Sequence, residues 1–287
     1  MRIAHLILAH KAPAQLARLV QALAHPQADV FIHLDKKADY QAFEHLANLP
    51  NVGFTRLRLD VKWGGYSLTL AAIEGMREIL HTSQSYDFIN LLSGEDYPIK
   101  PAAAIHAFWE QHRGQSFLEY EAQGSAWWQA NESHFNQYHF TEFAFRGRYA
   151  LQRLLNAVLP RRRAPFPKLY GGNMGGWYTL SRECATYVVD YLDARPKLQR
   201  FFRFTWGSDE FVVHSIVLNS PLAPTVVNNN LRFIDWSGGG HSPKVLTLSD
   251  LPALQASARL YARKFDASRD TAVLDQLDRS FRRQPLA

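Results

Sequence analysis

Apolar residues in the first 112 positions alternate between a spacing typical of strands and one typical of helices. Short continuous apolar runs occur at 2–9, 29–34, 52–57 and 86–92. Segments with an apolar face at helical spacing occur at 13–24, 39–48, 66–82 and 101–112. This order, with short connections, predicts an α/β fold in which helices cover both faces of a mostly parallel, Rossmann-like sheet.

The rest of the chain follows this pattern less clearly. Residues 115–180 are irregular, and "PRRRAPFPK" (160–168) indicates an exposed loop. A strand that ends with Asp235 and Trp236 is predicted, and so is an apolar helix over 258–266. Because no repeat or linker interrupts the sequence, we expect one continuous domain over residues 1–287.

Polar and glycine-containing motifs follow the predicted strands. They are "LAHK" (8–11), "HLDKK" (33–37), "WGGY" (63–66) and "SGEDYP" (93–98). We expect them along one rim, since ligands of parallel sheets bind at the carboxyl ends of the strands. Each motif has two interpretations: Asp35 contacts a nucleoside or caps the next helix, Gly64 admits a ligand or makes a tight turn, and Asp96 binds a ligand or only shapes a turn.

Composition and charge indicate which classes of binding partner and which cellular location to expect. The chain has 32 basic and 26 acidic residues, a net charge of +6, which favours an anionic partner. The basic residues form no stripe and no recognised module, so nucleic acid is not expected. The single cysteine, Cys184, excludes an intrachain disulfide, and the apolar run at the N-terminus is too short for a signal peptide. A cytoplasmic location is therefore the expectation.

Several familiar chemistries have no motif here. The sequence lacks GxGxxG after its first strand and lacks a Walker loop, which disfavours ordinary dinucleotide and P-loop chemistry. It also lacks HExxH, CxxC and GxSxG, and no Asp-x-Asp follows a strand. We therefore expect no metal site and no divalent metal cofactor.

Glycine-rich stretches in the second half carry candidate ligand residues. "YGGNMGGWYTLSR" (170–182) places Trp177 before a strand-like run, and "LRFIDWSGGGHSPK" (231–244) places Asp235 and Trp236 at the end of a strand. A backbone this bare allows a sugar or phosphate to approach closely. Trp236 is interpreted either as a stacking platform for a sugar ring or as a core residue.

Two charged pairs are equally ambiguous. Arg263 and Lys264, predicted in the last turns of helix 258–266, are either helix C-terminal charges or a clamp for a diphosphate. In "WGSDEFVVHSIV" (206–217), Asp209 and Glu210 are predicted to open a helix, with Ser208 and Asp209 as caps. One of the two carboxylates is alternatively a catalytic base.

Seven segments, in order over residues 3 to 270, resemble the core-2/I-branching β-1,6-N-acetylglucosaminyltransferase and peptide O-xylosyltransferase family (glycosyltransferase family 14). The segments are "HLDKK", "WGGYSLTLAAIEGMREIL", "FINLLSGEDYPIK", "GGWYTLSR", "SDEFVVHSIVLNS", "FIDWSGGGHSP" and "ARKFD". Three of them, "WGGYSL", "SGEDYP" and "ARKFD", look closest to the xylosyltransferase branch.

The resemblance implies a GT-A-like fold and an inverting, metal-independent transfer from a UDP-sugar, with Glu210 as general base. A nucleotide-binding part over 1–112 and an acceptor and catalytic part over 113–287 are then expected. The expected nucleotide-sugar-binding residues are Leu8, Asp35, Trp63, Gly64, His241, Lys244, Arg263 and Lys264. The expected acceptor-binding residues are Asp96, Trp177, Asp235 and Trp236.

Two departures from the family pattern bear on these roles. The xylosyltransferase branch carries an acid directly before the Trp of its glycine-rich segment, where this chain has Gly176. The core-2 branch has an Arg after its Trp segment that contacts the diphosphate, and His241 or Lys244 occupies that neighbourhood here.

The predicted function is that of a bacterial cytoplasmic glycosyltransferase that moves GlcNAc from UDP-GlcNAc to a hydroxyl of a glycan acceptor in surface-polysaccharide synthesis. The acceptor is expected to be a glycan or a lipid-linked glycan, and the basic surface is expected to touch the anionic inner membrane peripherally. The alternatives are an O-xylosyltransferase that uses UDP-xylose, and a non-catalytic glycan-binding protein on the same scaffold.

Overall fold

The structure, a computed structural model, describes residues 1–122, 124–172, 176–239 and 242–283. It forms two compact units. The first unit comprises Met1–Thr55, Gln84–Arg113 and the chain from Leu231 onward, and the second comprises Arg56–Ser83 and Gly114–Asn230. The expectation of one continuous domain stays a prediction.

Strands and helices within the described ranges are numbered along the chain. The strands are β1 Ile3–Ala9, β2 Ala28–Leu34, β3 Val52–Phe54, β4 Phe88–Ser93, β5 Asp96–Pro98, β6 Ser116–Leu118, β7 Glu121–Ala122, β8 Tyr170–Gly171, β9 Tyr178–Ser181, β10 Val226–Asn228, β11 Arg232–Ile234 and β12 Tyr261–Arg263. The α-helices are α1 Pro13–Ala22, α2 Tyr66–Leu80, α3 Ala102–Gln111, α4 Ala126–Asn131, α5 Ser133–Asn136, α6 Arg148–Val158, α7 Arg182–Asp193, α8 Pro196–Phe202, α9 Val212–Leu218, α10 Leu251–Ala256 and α11 Ala272–Arg283. Short 3-10 helices occur at Glu44–Asn48, Ser208–Glu210, Ala223–Thr225 and Leu248–Asp250. In the described part of the chain, no helix is long and apolar enough to cross a membrane.

The first unit contains a parallel sheet with the strand order β4-β1-β2-β3. Strand β1 pairs with both neighbours in register, Ile3 opposite Ala28 on one side and opposite Phe88 on the other. Strands β1 and β4 are buried on both faces almost throughout, which explains their continuous apolar sequence. The predicted α/β class with a mostly parallel sheet and accompanying helices is confirmed, in agreement with a GT-A-like fold.

A second, three-stranded sheet in the first unit has the order β11-β12-β5. The predicted helix over 258–266 is wrong, because residues 261–263 form the central strand β12 of this sheet. The apolar run that suggested a helix is instead buried as a strand between two neighbours. In "SGEDYP", likewise, residues 96–98 form the short strand β5 rather than only a turn.

The predicted helix over 39–48 is also absent from the first unit. Residues 41–43 form a turn, and only Glu44–Asn48 is helical, in the 3-10 form. Asp39 accepts a hydrogen bond from the Gln41 backbone, which offers this segment a turn in place of a helix. The two buried apolar residues, Phe43 and Leu46, are three apart and need only one turn.

Gln15, a buried polar residue of α1, connects three segments of the first unit. Its side-chain Nε2 donates to the carbonyl oxygens of Gly94 (3.1 Å) and Phe265 (3.0 Å), and its Oε1 accepts from the Ala267 amide (2.8 Å). These bonds hold the loop after β4 and the loop after β12 against α1. No pattern in the sequence indicates this role for Gln15.

The second unit has a three-stranded arrangement in which β6 pairs with β10 in parallel and with β9 antiparallel. Helices α2 and α7 pack together in this unit, and Arg77 of α2 forms a bidentate ion pair with Asp193 of α7. Cys184 lies on α7 and is fully buried.

Helix α9 begins at Val212, later than predicted, with Phe211 at the N-cap and no side-chain capping bond. Residues Ser208–Glu210 form a separate 3-10 helix before it. The predicted caps, Ser208 and Asp209, are therefore wrong.

Gln15→Leu should lower the free energy of unfolding by about 3 kcal/mol, since it leaves two carbonyls and one amide without partners at roughly 1 kcal/mol each. Gln21, an exposed glutamine on the same helix, provides the matched control, and Gln21→Leu should change stability by under about 0.5 kcal/mol. Urea denaturation followed by circular dichroism measures both. Equal midpoints for the two variants would contradict the proposed cross-link.

Candidate active site

The tight turn that carries Glu210 is the centre of the candidate site in the second unit. Gly207 has a φ of 61°, and its carbonyl oxygen accepts a hydrogen bond from the Glu210 amide at 3.0 Å. The hydroxyl of Ser208 bonds to the hydroxyl of Thr69 on α2 at 2.7 Å, and both residues are buried. These contacts fix the backbone from which the Glu210 side chain projects.

The "WGGY" motif supports this turn directly. The Gly64 carbonyl oxygen accepts a hydrogen bond from the Gly207 amide at 2.8 Å. A Cβ at Gly64 would lie 2.7 Å from the indole nitrogen of Trp206, and the φ of Gly64 is +69°, so only glycine fits there. Trp63 meets Trp206 edge to face at 5.3 Å between ring centroids, and 66% of Trp63 is exposed.

Glu142 anchors the start of α2, and the sequence did not identify it. Its Oε1 accepts hydrogen bonds from the Ser67 amide (2.7 Å) and the Ser67 hydroxyl (2.9 Å). A carboxylate at this position satisfies a first-turn N–H and is favoured by the helix dipole. Gly65 is needed because a Cβ there would lie 2.1 Å from the same carboxylate oxygen. Glu142 lies in the irregular segment 115–180, where no pattern singles it out.

The Glu210 carboxyl group has unusual electrostatics. Burial, together with the neighbouring Asp209 carboxylate, raises the pKa of Glu210 to about 8. A Cβ at Gly207 would lie 3.2 Å from Glu210 Oε2 and 3.7 Å from His134 Nδ1, so these two side chains approach the same glycine. Burial, with the nearby His139, lowers the pKa of His134 to about 4, and its Nδ1 has no hydrogen-bond partner among the described residues.

Two glycines let β8 and the segment before β9 approach the turn. A Cβ at Gly171 would lie 2.4 Å from the Glu210 carbonyl oxygen, and one at Gly176 would lie 3.1 Å from Asp209 Oδ2. Gly176 also has a φ of +84°, which disfavours any other residue. The acid found at this place in the xylosyltransferase branch would therefore meet the Asp209 carboxylate. Trp177 follows and is half-buried.

In the first unit, the predicted rim at the carboxyl ends of β1 and β4 is present. The Gly94 amide donates to the Leu8 carbonyl oxygen at 2.9 Å, and the Asp35 amide donates to the Ala9 carbonyl oxygen at 2.8 Å. A cavity of about 330 Å³ opens beside Leu8, between residues 10–15, 93–95 and 265–268. The motifs "LAHK", "HLDKK" and "SGEDYP" thus meet as predicted, whereas "WGGY" belongs to the second unit.

Asp35 caps a turn at this rim. One carboxylate oxygen accepts from the Lys37 amide at 2.8 Å, and the other accepts from the Lys37 ammonium at 2.9 Å. No helix follows directly, so the interpretation of Asp35 as a helix cap is wrong. Its role toward a nucleoside stays a prediction.

The two candidate cations of β12 and its end are each paired with an acid from "SGEDYP". Arg263 Nε donates to Asp96 Oδ1 at 2.8 Å, and Asp96 is fully buried. The Lys264 ammonium donates to the Ser242 hydroxyl at 2.8 Å and lies 3.9 Å from Glu95, which also pairs with Lys11 at 2.8 Å. The Arg263–Asp96 pair forms because these two residues are opposite each other in the β5–β12 register.

Asp96 has no exposed surface, and its other oxygen accepts from the Ser93 amide at 2.9 Å. This geometry favours a positioning role toward Arg263 and the turn over contact with an acceptor. Lys11 and Glu95 are residues that the sequence placed on the rim without singling them out.

The glycine-rich segment after β11 forms a third group. Lys244 donates to Asp250 at 2.6 Å and lies 3.7 Å from Asp235, whose carboxylate also accepts from the Ser237 amide at 2.7 Å. Trp236 is half-buried. The contacts of Lys244 and Asp235 favour a structural role in this loop. His241 lies outside the described residues.

No group of three or more His, Cys, Asp and Glu side chains suited to a metal ion occurs within the described ranges. Among the described residues near the rim, Lys11, Arg263 and Lys264 carry positive charges that could bind a phosphate.

The chain is similar to curated animal proteins. It is 29% identical to xylosyltransferase 1 of Canis lupus familiaris over 306 residues, covering 97% of this chain and 30% of that protein. It is 28% identical to xylosyltransferase 2 of Rattus norvegicus, covering 97% of this chain and 33% of that protein. The chain therefore spans about a third of the length of these relatives.

A structural comparison aligns the chain with a galactosyltransferase, LgtC, solved in complex with donor and acceptor sugar analogues. The TM-score is 0.46 and the sequence identity 8%, and the alignment covers 99% of this chain and 97% of that one. Mouse xyloside xylosyltransferase 1 gives a TM-score of 0.41 and 11% identity over 91% of this chain and 97% of that one.

The sequence model of the family described as "Core-2/I-Branching enzyme" matches residues 3–255. This match covers most of the 287 residues and includes the turn that carries Glu210. The chain belongs to the core-2/I-branching enzyme family.

Proposed function

We propose that this chain is an inverting glycosyltransferase that uses a UDP-sugar donor and Glu210 as the general base. The observation that carries the proposal is the Glu210 carboxyl group, whose pKa is raised to about 8 on a turn fixed by Gly64 and Thr69. A carboxyl group with a pKa near the working pH is well suited to accept a proton in the transition state.

The proposed reaction is a single displacement. The acceptor hydroxyl gives its proton to the Glu210 carboxylate as its oxygen bonds to the anomeric carbon of the donor sugar. The bond between that carbon and the phosphate oxygen breaks on the opposite face, and UDP leaves with the electron pair. One base suffices, because no covalent intermediate with the protein forms.

The leaving UDP gains negative charge, which needs stabilisation in the transition state. We assign this task to Arg263 and Lys264, at the end of β12. Their present partners are carboxylates, so a diphosphate would replace or share contacts that already orient the two cations. Transfer would then need no divalent metal, and we expect full activity in the presence of EDTA.

The proposal allows two sugar donors, UDP-xylose and UDP-GlcNAc. The relatives named xylosyltransferases favour UDP-xylose, whereas the resemblance to the core-2 branch favours UDP-GlcNAc. Gly176 stands where the xylosyltransferase branch has an acid, and an acidic side chain at this position would crowd the Asp209 carboxylate. The acceptor is proposed to be a hydroxyl of a glycan or lipid-linked glycan.

Glu210→Gln should reduce transfer by about 10²–10⁴-fold, because the amide cannot accept the proton, and should leave UDP affinity nearly unchanged. Transfer is measured with radiolabelled UDP-xylose and UDP-GlcNAc in parallel, and UDP affinity by calorimetry. Glu183→Gln, at an exposed acid of the same unit, is the control and should retain wild-type transfer. Retained turnover in Glu210→Gln would rule out this base, and UDP binding without turnover of either donor by the wild type would favour the non-catalytic alternative.

The pH dependence gives a second prediction. Below about pH 8 the base form of Glu210 is the minor form, so transfer should rise about tenfold per pH unit and level off above that pH. The same raised pKa means that the folded chain holds this proton more tightly than the unfolded chain, whose value is near 4.5. The resulting stabilisation is complete below about pH 4.5 and is lost as the pH rises through about 8.

Urea denaturation at several pH values tests the electrostatics without activity. Wild-type stability relative to Glu210→Gln should fall between about pH 5 and pH 9. Parallel stability curves for the two proteins would contradict the raised pKa, whatever the transfer assay shows.

Lys264→Ala should weaken UDP binding by roughly tenfold, since it removes one charge-assisted contact to the diphosphate. Lys197→Ala, at an exposed lysine of α8, should leave the affinity unchanged. Isothermal titration calorimetry with UDP measures both. An unchanged dissociation constant in Lys264→Ala would count against the clamp.

A further inference from the structure

Helix α6, Arg148–Val158, is an amphipathic helix with its apolar side outward. Leu151, Leu154 and Val158 follow one another at spacings of three and four, which places them on one face. Leu154 is 58% exposed and Val158 66% exposed, and no residue of the helix is buried. An ordinary surface helix would turn such a face toward the core.

Polar side chains hold α6 in this orientation. Gln152 Oε1 accepts from the Phe140 amide at 2.9 Å, and Asn156 bonds to both the amide (2.8 Å) and the carbonyl oxygen (2.9 Å) of Tyr138. The inner face of the helix is thus its amide-bearing face. Because three hydrogen bonds fix this face, the apolar face is presented outward by the fold.

The exposed apolar surface continues beyond both ends of the helix. Phe145 precedes it and Leu159 follows it, and both are more than a third exposed. We call the set Phe145, Leu151, Leu154, Val158 and Leu159 the α6 surface. Five exposed large apolar side chains within fifteen positions mark an interaction site on a protein surface.

The charged side chains within residues 143–168 all have a positive sign. Residues 143–168 include seven Arg and Lys and no Asp or Glu. Arg146, Arg153, Arg161 and Arg163 are exposed, and Arg161 has only a loose 3.7 Å contact with Glu132. Arg162, in contrast, is directed inward and donates to backbone carbonyls such as that of Gln137. The exposed arginines flank the apolar face before, within and after the helix.

We propose that the α6 surface docks on an anionic lipid bilayer, with α6 lying in the plane of the membrane interface. Leucine and valine side chains on one face of a helix insert among acyl chains, while arginines beside them contact the phosphates of anionic headgroups. Long arginine side chains reach the headgroups while their stems lie along the apolar surface. The positive charge of residues 143–168, which contain no acid, complements the negative charge of such a bilayer.

This inference is independent of the proposed glycosyl transfer, because it uses none of the residues assigned to the donor or to the base. The chemistry of the surface is also unsuited to nucleic acid, which would leave the leucines in water. A second copy of this chain is the other occupant that the apolar face would fit, and the experiment separates the two.

Sedimentation with sucrose-loaded vesicles tests the proposal. The full chain should bind vesicles of phosphatidylglycerol and phosphatidylethanolamine, should bind phosphatidylcholine vesicles at least tenfold more weakly, and should release from the anionic vesicles as salt rises. The double variant that combines Leu154→Glu and Val158→Glu should have a lower partition coefficient, by about tenfold or more for each of its two substitutions. Arg161→Glu with Arg163→Glu should reduce it by roughly 25-fold or more.

Two variants outside the α6 surface serve as matched controls. Leu248→Glu replaces an exposed leucine of the first unit, and Arg200→Glu replaces an exposed arginine of α8. Both should bind anionic vesicles as the wild type does. Circular dichroism melts of all variants verify that each is folded.

The proposal is overturned if the wild type and the folded α6 variants bind anionic vesicles equally, or if the wild type does not bind them. In the second case, light scattering that shows a wild-type dimer converted to monomer by Leu154→Glu with Val158→Glu would assign the α6 surface to a second copy of the chain.

Discussion

The hydrogen bond from the Gly207 amide to the Gly64 carbonyl oxygen is the contact on which the rest of the candidate catalytic turn depends. It joins the segment before α2 to the segment before α9, and the buried Thr69–Ser208 hydroxyl pair repeats the connection one step further on. Glycine is required on both sides of the bond. Both residues have positive φ, and at Gly64 the indole of Trp206 leaves no room for a Cβ. The Glu210 carboxyl group is held partly buried as a result, and its raised pKa follows from that position.

The first unit holds cations in place at the rim of a sheet. Arg263, the last residue of β12, pairs with Asp96, and the following Lys264 lies near Glu95. These acids orient the guanidinium and ammonium groups. Gln15 stabilises the loops on either side of the adjacent cavity. Polar contacts thus help to fix the conformation of the rim.

The parts of the fold that local pattern determines could be predicted from the sequence. Strands β1, β2 and β4 and helices α1, α2 and α3 were predicted within a few residues, because continuous apolar runs and helical spacing each fit one kind of element. The errors came where local pattern and tertiary context disagree. Residues 258–266 have the spacing of a helix, yet residues 261–263 lie between two strands and gain ladder hydrogen bonds there. Helix α6 was missed although Leu151, Leu154 and Val158 have helical spacing. Glu142 was missed because a cap from a distant segment leaves no local signature.

The sequence by itself determined the α/β class and the order of the motifs, because these depend on residue types at fixed spacings. The resemblance of seven segments to a known family identified the family and singled out Glu210 as the candidate base. The tertiary structure decided which of the motifs meet. It assigned "WGGY" to the support of the Glu210 turn, Asp96 to Arg263, and Lys244 to a loop with Asp235 and Asp250. It alone decided the pKa of Glu210 and the outward face of α6. Burial and charge proximity are properties of residues far apart in the chain, and no spacing along the sequence encodes them.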